Sequence, residues 1–223
     1  VKEITTPIGT ARYCWLTAPA TGEYDGEHGL YRTELVLSQE DWEALKLEVK
    51  PSFEAFLEAE SQKKGKQLKP APASPFKIDD EGNHYIKTKR KAAYNMKANA
   101  RDVEDGKAEK VGDPVVINAP ATLLVDSSAT PIKGDKPVIG AGSRIRLGLK
   151  VRFWYVPTQG VGMTLEPISA QIIELKDVAE SESVGAFKAE ESGYKHGGET
   201  FEFKKETELN EKEEEAKPLA ADF

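Results

Sequence analysis

The clearest pattern in the chain runs from Arg144 to Val156. Ile145, Leu147, Leu149, Val151, Phe153 and Tyr155 fall on one face of an extended backbone, and Arg144, Arg146, Gly148, Lys150, Arg152 and Trp154 on the other. Alternation with a period of two predicts a strand with one face on a core and the other toward water. Residues 10–17 and 30–37 read as two further strands, separated by a connection that holds Pro19, Gly22, Gly26 and Gly29. The period changes after Ser38, a residue suited to capping a helix, with Asp41 three positions on. Trp42, Leu45, Val49, Phe53, Phe56 and Leu57 follow at helical spacing and predict a helix packed on the strands, kinked or divided at Pro51.

The second half of the pattern is again extended. A basic, proline-rich loop is expected over 62–75, then a hairpin over 76–97 with its turn at Asp79–Asn83 and a long return strand from Tyr85 to Lys97. Residues 101–113 are charged and punctuated by glycine, which predicts a mobile loop. Short strands follow at 115–117 and 122–125, a turn at Gly140–Gly142, and a last strand from Met163 to Leu175. Many short strands, glycine turns and one interrupting helix predict a mainly β chain, a barrel with an inserted α-helix. From residue 177 onward no sustained apolar face remains, and a disordered tail is expected over 177–223 after a folded domain over 1–176.

Charge sharpens that boundary. The chain has 31 Lys and Arg against 38 Asp and Glu, a net of −7. Residues 180–223 hold 13 acids and 6 lysines, so the tail carries the whole −7 and the body is neutral. An acidic tail appended to a folded body is the expected arrangement. No apolar run is long enough for a membrane helix, and the first residues, Val1-Lys2-Glu3-Ile4, do not read as a secretory signal. The single cysteine, Cys14, precludes an intrachain disulfide and fits a cytoplasmic setting. His28, His84 and His196 lack ligand spacing, so no metal site or other cofactor is expected. No nucleophile–base order, phosphate loop or zinc signature occurs, so an enzyme is not expected.

Within the neutral body the cations are clustered with aromatic residues. Residues 85–101 hold Tyr85, Lys87, Lys89, Arg90, Lys91, Tyr94, Lys97 and Arg101 with no acid, and on a strand Tyr85, Lys87, Lys89 and Lys91 project from one face. Single-stranded nucleic acid needs cations for its phosphates and ring faces on which bases stack. The ordinary alternative is a solvated strand that uses lysine to resist edge pairing. The outer face of the long strand offers Arg144, Arg146, Lys150, Arg152 and Trp154, unless carboxylates on neighbouring strands balance them. The first strand offers Arg12, Tyr13 and Trp15, with the two aromatics pointing one way and Arg12 the other. Core packing is the commoner fate of such rings. Arg32, on the second strand, joins this candidate DNA-binding set. In the tail, Glu213, Glu214, Glu215 and Asp222 precede Phe223, a pattern suited to a partner's basic, apolar pocket or to mimicry of DNA.

Several stretches, in order, resemble the single-stranded DNA-binding proteins of short-tailed bacteriophages of the T-odd type. They are Gly9-Thr10-Ala11, Gly29 to Leu35, Leu124-Val125-Asp126-Ser127, Pro137 to Arg146, Gly160-Val161-Gly162 and Ile173-Glu174-Leu175, closed by the acidic tail with Asp222-Phe223. The resemblance implies an OB fold, a five-stranded Greek-key barrel carrying a long helix. It implies binding of single-stranded DNA without sequence preference, and a homodimer. It also implies a tail that contacts the phage DNA polymerase and primase-helicase. Roles in phage DNA replication, recombination and repair, in the cytoplasm of an infected bacterium, follow from the same resemblance. An RNA-binding OB protein or RNA chaperone is the alternative reading.

Overall fold

The computed structural model describes residues 2–176, so the expectations for the tail, its acidic cluster and Phe223 lie outside the described residues. Among the described residues, ten strands and two helices follow one another as β1 (Lys2–Thr5), β2 (Gly9–Ala20), β3 (Leu30–Leu37), α1 (Gln39–Lys64), β4 (Phe76–Ile78), β5 (His84–Lys91), β6 (Ala93–Lys97), α2 (Ala100–Glu104), β7 (Pro114–Asn118), β8 (Leu123–Val125), β9 (Arg144–Val156) and β10 (Gly160–Glu174). Five of them close on themselves in the order β9, β2, β3, β5, β10 and back to β9, and the β5–β10 pair is parallel while the others are antiparallel. This is the expected mainly β, OB-like barrel with a helix between its strands. β1, β4 and β8 extend its edges, and β6 and β7 form a separate two-stranded arm.

Alternation builds the barrel. Ile145, Leu147, Leu149 and Val151 of β9 meet Leu35 of β3, Ile86 of β5 and Leu165 of β10 in the core, all fully buried. The outward residues of the same strands are left for water and for ligands.

The helix begins where its cap predicts. The Ser38 hydroxyl accepts from the Asp41 N–H at 3.1 Å, and Gly65, in the left-handed region, closes the far end. Pro51 does not divide it, and α1 runs unbroken through that position. Interior proline costs roughly 3 kcal/mol, but Leu45 and Val49 are buried on one side of it. Beyond it Phe53 and Phe56 pack on Phe153 of β9, with ring centroids 6.0 and 5.5 Å apart. Burial of about 1.5–3 kcal/mol per large side chain outweighs the lost hydrogen bond.

Two expectations fail locally. The return strand of the hairpin is not continuous to Lys97. It breaks at Ala92, whose N–H donates to Gly29 and whose carbonyl accepts from Ala119, so that β6 leaves the barrel to pair with β7. The segment after it is not a plain loop either. Asn99 and Asp102 form a reciprocal capping box that starts α2.

Candidate nucleic-acid interface

The register of the strands brings the sequence-derived residues into rows across the barrel's outer face. Trp15 of β2 lies opposite Arg32 of β3, and Arg32 lies opposite Lys89 of β5. One step along, Arg12 lies opposite Glu34, and Glu34 opposite Lys87. Thr164 of β10 faces Arg152 of β9, and Gly162 faces Trp154. Three depressions run along these rows. The central one, about 360 Å³, is lined by Tyr24, Arg32, Lys77, Lys87, Lys89 and Trp154 among others. A smaller one, about 160 Å³, adds Tyr13 and Trp15 and shares Arg32 and Lys87 with it. A third, about 330 Å³, adds Lys91, Tyr94 and Arg152 and shares Lys89. Shared walls make them one groove.

The aromatics of β2 are where the sequence reading needs correction. Between Arg12 and Trp15 the ladder to β3 slips by one residue, a β-bulge, and Tyr13 adopts φ 49°. The extra residue turns Arg12, Tyr13 and Trp15 all to the outer side, whereas strict alternation would set Arg12 against the other two. Cys14 takes the inward place, where burial pushes its thiol up to about 11. Tyr13 is 69% and Trp15 46% exposed, so neither is a core residue. A left-handed conformation at a bulky side chain costs on the order of 1–3 kcal/mol and is found where function holds it.

Trp154 is held differently. Its indole N–H donates to the Thr164 hydroxyl at 3.1 Å, and its ring lies over Gly162, where a Cβ would collide with it. The ring is therefore fixed in orientation at the groove wall. Tyr85 is less accessible to a base, because the Arg12 guanidinium sits over its ring at 5.1 Å. Arg12 also pairs with Asp79 at 3.0 Å. Partial desolvation pushes the Asp79 carboxyl up, but hydrogen bonds from the Asn83 backbone and side chain and from Arg12 outweigh it and hold it below the usual range.

The cations divide into two sorts. Three groove cations already have a carboxylate: Arg32 with Asp25 at 3.2 Å, Lys87 with Glu34 at 3.1 Å, and Arg152 with Glu166 at 3.1 Å. Lys77, Lys89 and Lys91 have no ion-pair partner among the described residues. The remaining candidates contribute less. Arg90 borders the third depression but is turned inward and buried, its guanidinium over the Tyr31 ring and bonded to Thr122. Arg144, Arg146 and Lys150 share the outer face of β9 but line none of the three depressions, and Lys97 is exposed on the β6–β7 arm. Sequence reasoning missed Tyr24, 90% exposed at the groove, and Lys77. Tyr24 sits between the glycines of the β2–β3 connection, and that proximity to turn residues is the one signal it carries.

No family model matches the chain, and no curated protein matches it in sequence. Solved structures do. The gp2.5 single-stranded DNA-binding protein of bacteriophage T7 superposes with a TM-score of 0.61 over 86% of this chain and 97% of that one, at 23% identity. They share a fold. The single-stranded DNA-binding protein of bacteriophage Enc34, in complex with single-stranded DNA, gives a TM-score of 0.52 over 78% of this chain and 88% of that one, at 14% identity. The same Enc34 protein alone gives 0.51 over 83% and 87%, at 13% identity. At these identities the likeness establishes the OB-type barrel with its helix. The groove's own residues bear the argument about chemistry.

Proposed function

We propose that this chain binds single-stranded DNA without sequence preference, through the groove that crosses β2, β3, β5, β10 and β9. One observation carries the reading: exposed Tyr13 and Trp15, oriented Trp154 and the lysines Lys77, Lys89 and Lys91, unpaired among the described residues, border one continuous concave face. Rings supply stacking surfaces that accept any base, and the lysines meet phosphates. Two neighbours of the same fold are single-stranded DNA-binding proteins of bacteriophages, which supports the same reading. The test is fluorescence titration with poly-dT, followed by competition between DNA and RNA oligomers of one sequence. DNA is expected to win. A preference for RNA would favour the RNA-chaperone alternative, and no binding to either would end the proposal.

The proposal extends to phage DNA replication, recombination and repair in an infected bacterial cell, with a homodimer as the binding unit. Residues 206–223 carry seven acids against Lys212 and Lys217, a net of −5. A tethered segment of that charge competes with DNA for a basic groove at high effective concentration. Deleting 206–223 is expected to tighten DNA binding several-fold at low salt and less at high salt. Deleting Phe223 alone is expected to spare DNA binding but to weaken docking to the phage polymerase or primase-helicase, where an aromatic fills a partner's pocket. Equal DNA affinity of the truncated and full chains at low salt would refute the competition.

A further inference from the structure

The ladder between β2 and β9 ends at Thr10. Beyond it, the space beside residues 13–18 of β2 is filled by the 136–141 loop instead of a strand, and a cleft of about 710 Å³ opens between the two. Its floor is Ile139, which is buried, together with Cys14. One wall is Tyr13 and Trp15, and the other includes Val138, 58% exposed. Tyr13 and Trp15 also border the groove described above, so they form a ridge with a depression on either side.

The loop wall is tied to the barrel. The Ala11 N–H donates to Ser143 and the Gly142 N–H to Ala11, each at 2.8 Å, and Gly140 N–H donates to Lys176 at 3.1 Å. Lys136 lines the cleft, and its ammonium donates to the Thr122 carbonyl at 3.3 Å. An apolar slot with ring faces, one exposed aliphatic side chain and a single cation suits a stacked nucleobase with its phosphate outside. It suits a charged peptide poorly, because it offers one cation only.

We propose that this cleft is a second base-binding subsite for single-stranded DNA, into which the strand passes after crossing the Tyr13–Trp15 ridge. The subsite rests on the proposed DNA-binding function and deepens it. Its occupant is the continuation of the strand bound in the groove, since both depressions share the ridge. The bulge at Tyr13 then has a purpose, because it raises a ring between the two sites where a regular strand would bury one residue.

The test compares oligo-dT of about six nucleotides with one of about sixteen, lengths that bracket the span of an OB-fold site. Val138→Glu and Lys136→Glu place a negative charge at the cleft, and Lys89→Glu places one in the groove. The full chain is used throughout, and circular dichroism confirms folding. The cleft variants are expected to lose roughly tenfold in affinity for the long oligomer, one stacked base being worth about that, and to bind the short one as the parent does. Lys89→Glu is expected to weaken both. Should Val138→Glu, whose side chain is solvent-facing and folds without difficulty, bind both lengths like the parent while Lys89→Glu does not, the cleft is no subsite although the groove is. Should the parent bind neither length, the DNA-binding reading falls first and the subsite with it. Should the cleft variants instead lose the short oligomer as much as the long, the cleft is part of the groove and the second subsite is refuted.

Discussion

Replacing Trp15 or Trp154 by alanine is expected to cost about 1–3 kcal/mol of DNA binding each, a loss of roughly 5- to 150-fold in affinity. The chain has three tryptophans, and the third, Trp42, is buried on the inner face of α1 with its indole N–H on the Tyr85 carbonyl at 3.2 Å. Quenching on titration with poly-dT should therefore come from Trp15 and Trp154, and the double alanine variant should retain Trp42 emission without a DNA-dependent change. Persistence of the full quench in that variant would place the bases elsewhere. The two sites differ in their side effects. Trp15 is half exposed and its loss should leave stability nearly untouched, whereas Trp154 packs over Gly162 and its removal should also lower Tm. Tyr13 offers the converse. Tyr13→Gly accepts φ 49° without strain, so about 1–3 kcal/mol of strain is relieved against about 0.5–1 kcal/mol of added chain entropy. Tm should rise by roughly 2–4 °C while affinity falls, and a fall in both would show that the Tyr13 ring stabilises the fold.

The barrel was legible because its information is local. Alternation in β9, the Ser38 cap and the apolar stripe of α1 each need only neighbouring residues, and each appears in the structure at its expected place. The site was less legible because it depends on pairing. The bulge that turns Tyr13 outward is a slip of β2 against β3, which no periodicity within β2 records. Arg90 is the exception, since the alternation that sets Lys87, Lys89 and Lys91 on one face of β5 already sends it inward, where Tyr31 and Thr122 receive it. Arg144 shares a face with Arg152, but eight residues of strand separate them by about 26 Å, so a common face is not a common site. The carboxylates that pair with Arg32, Lys87 and Arg152 come from a turn or from adjacent strands and are invisible to a search for basic runs.

Those carboxylates determine how binding should respond to salt. If about five phosphates are neutralised in the groove, log K is expected to fall against log salt with a slope of about −3.5, from roughly −0.7 per phosphate. Raising salt from about 50 to about 200 mM should then weaken binding about 100-fold. Lys77, Lys89 and Lys91, unpaired among the described residues, meet phosphate without giving up a carboxylate there, whereas Lys87 must exchange the Glu34 carboxylate for it. Glu34→Gln should remove that competition and tighten binding on the order of three- to fivefold, since a partly exposed pair is worth up to about 1 kcal/mol. The gain should shrink as salt screens the pair. Lys89→Glu should act in the opposite sense and flatten the slope by about 0.7, because it removes one phosphate contact. A slope near zero in the parent would remove the electrostatic groove altogether. A steep slope with Glu34→Gln unchanged would mean that Lys87 meets no phosphate and that the phosphates follow Lys77, Lys89 and Lys91.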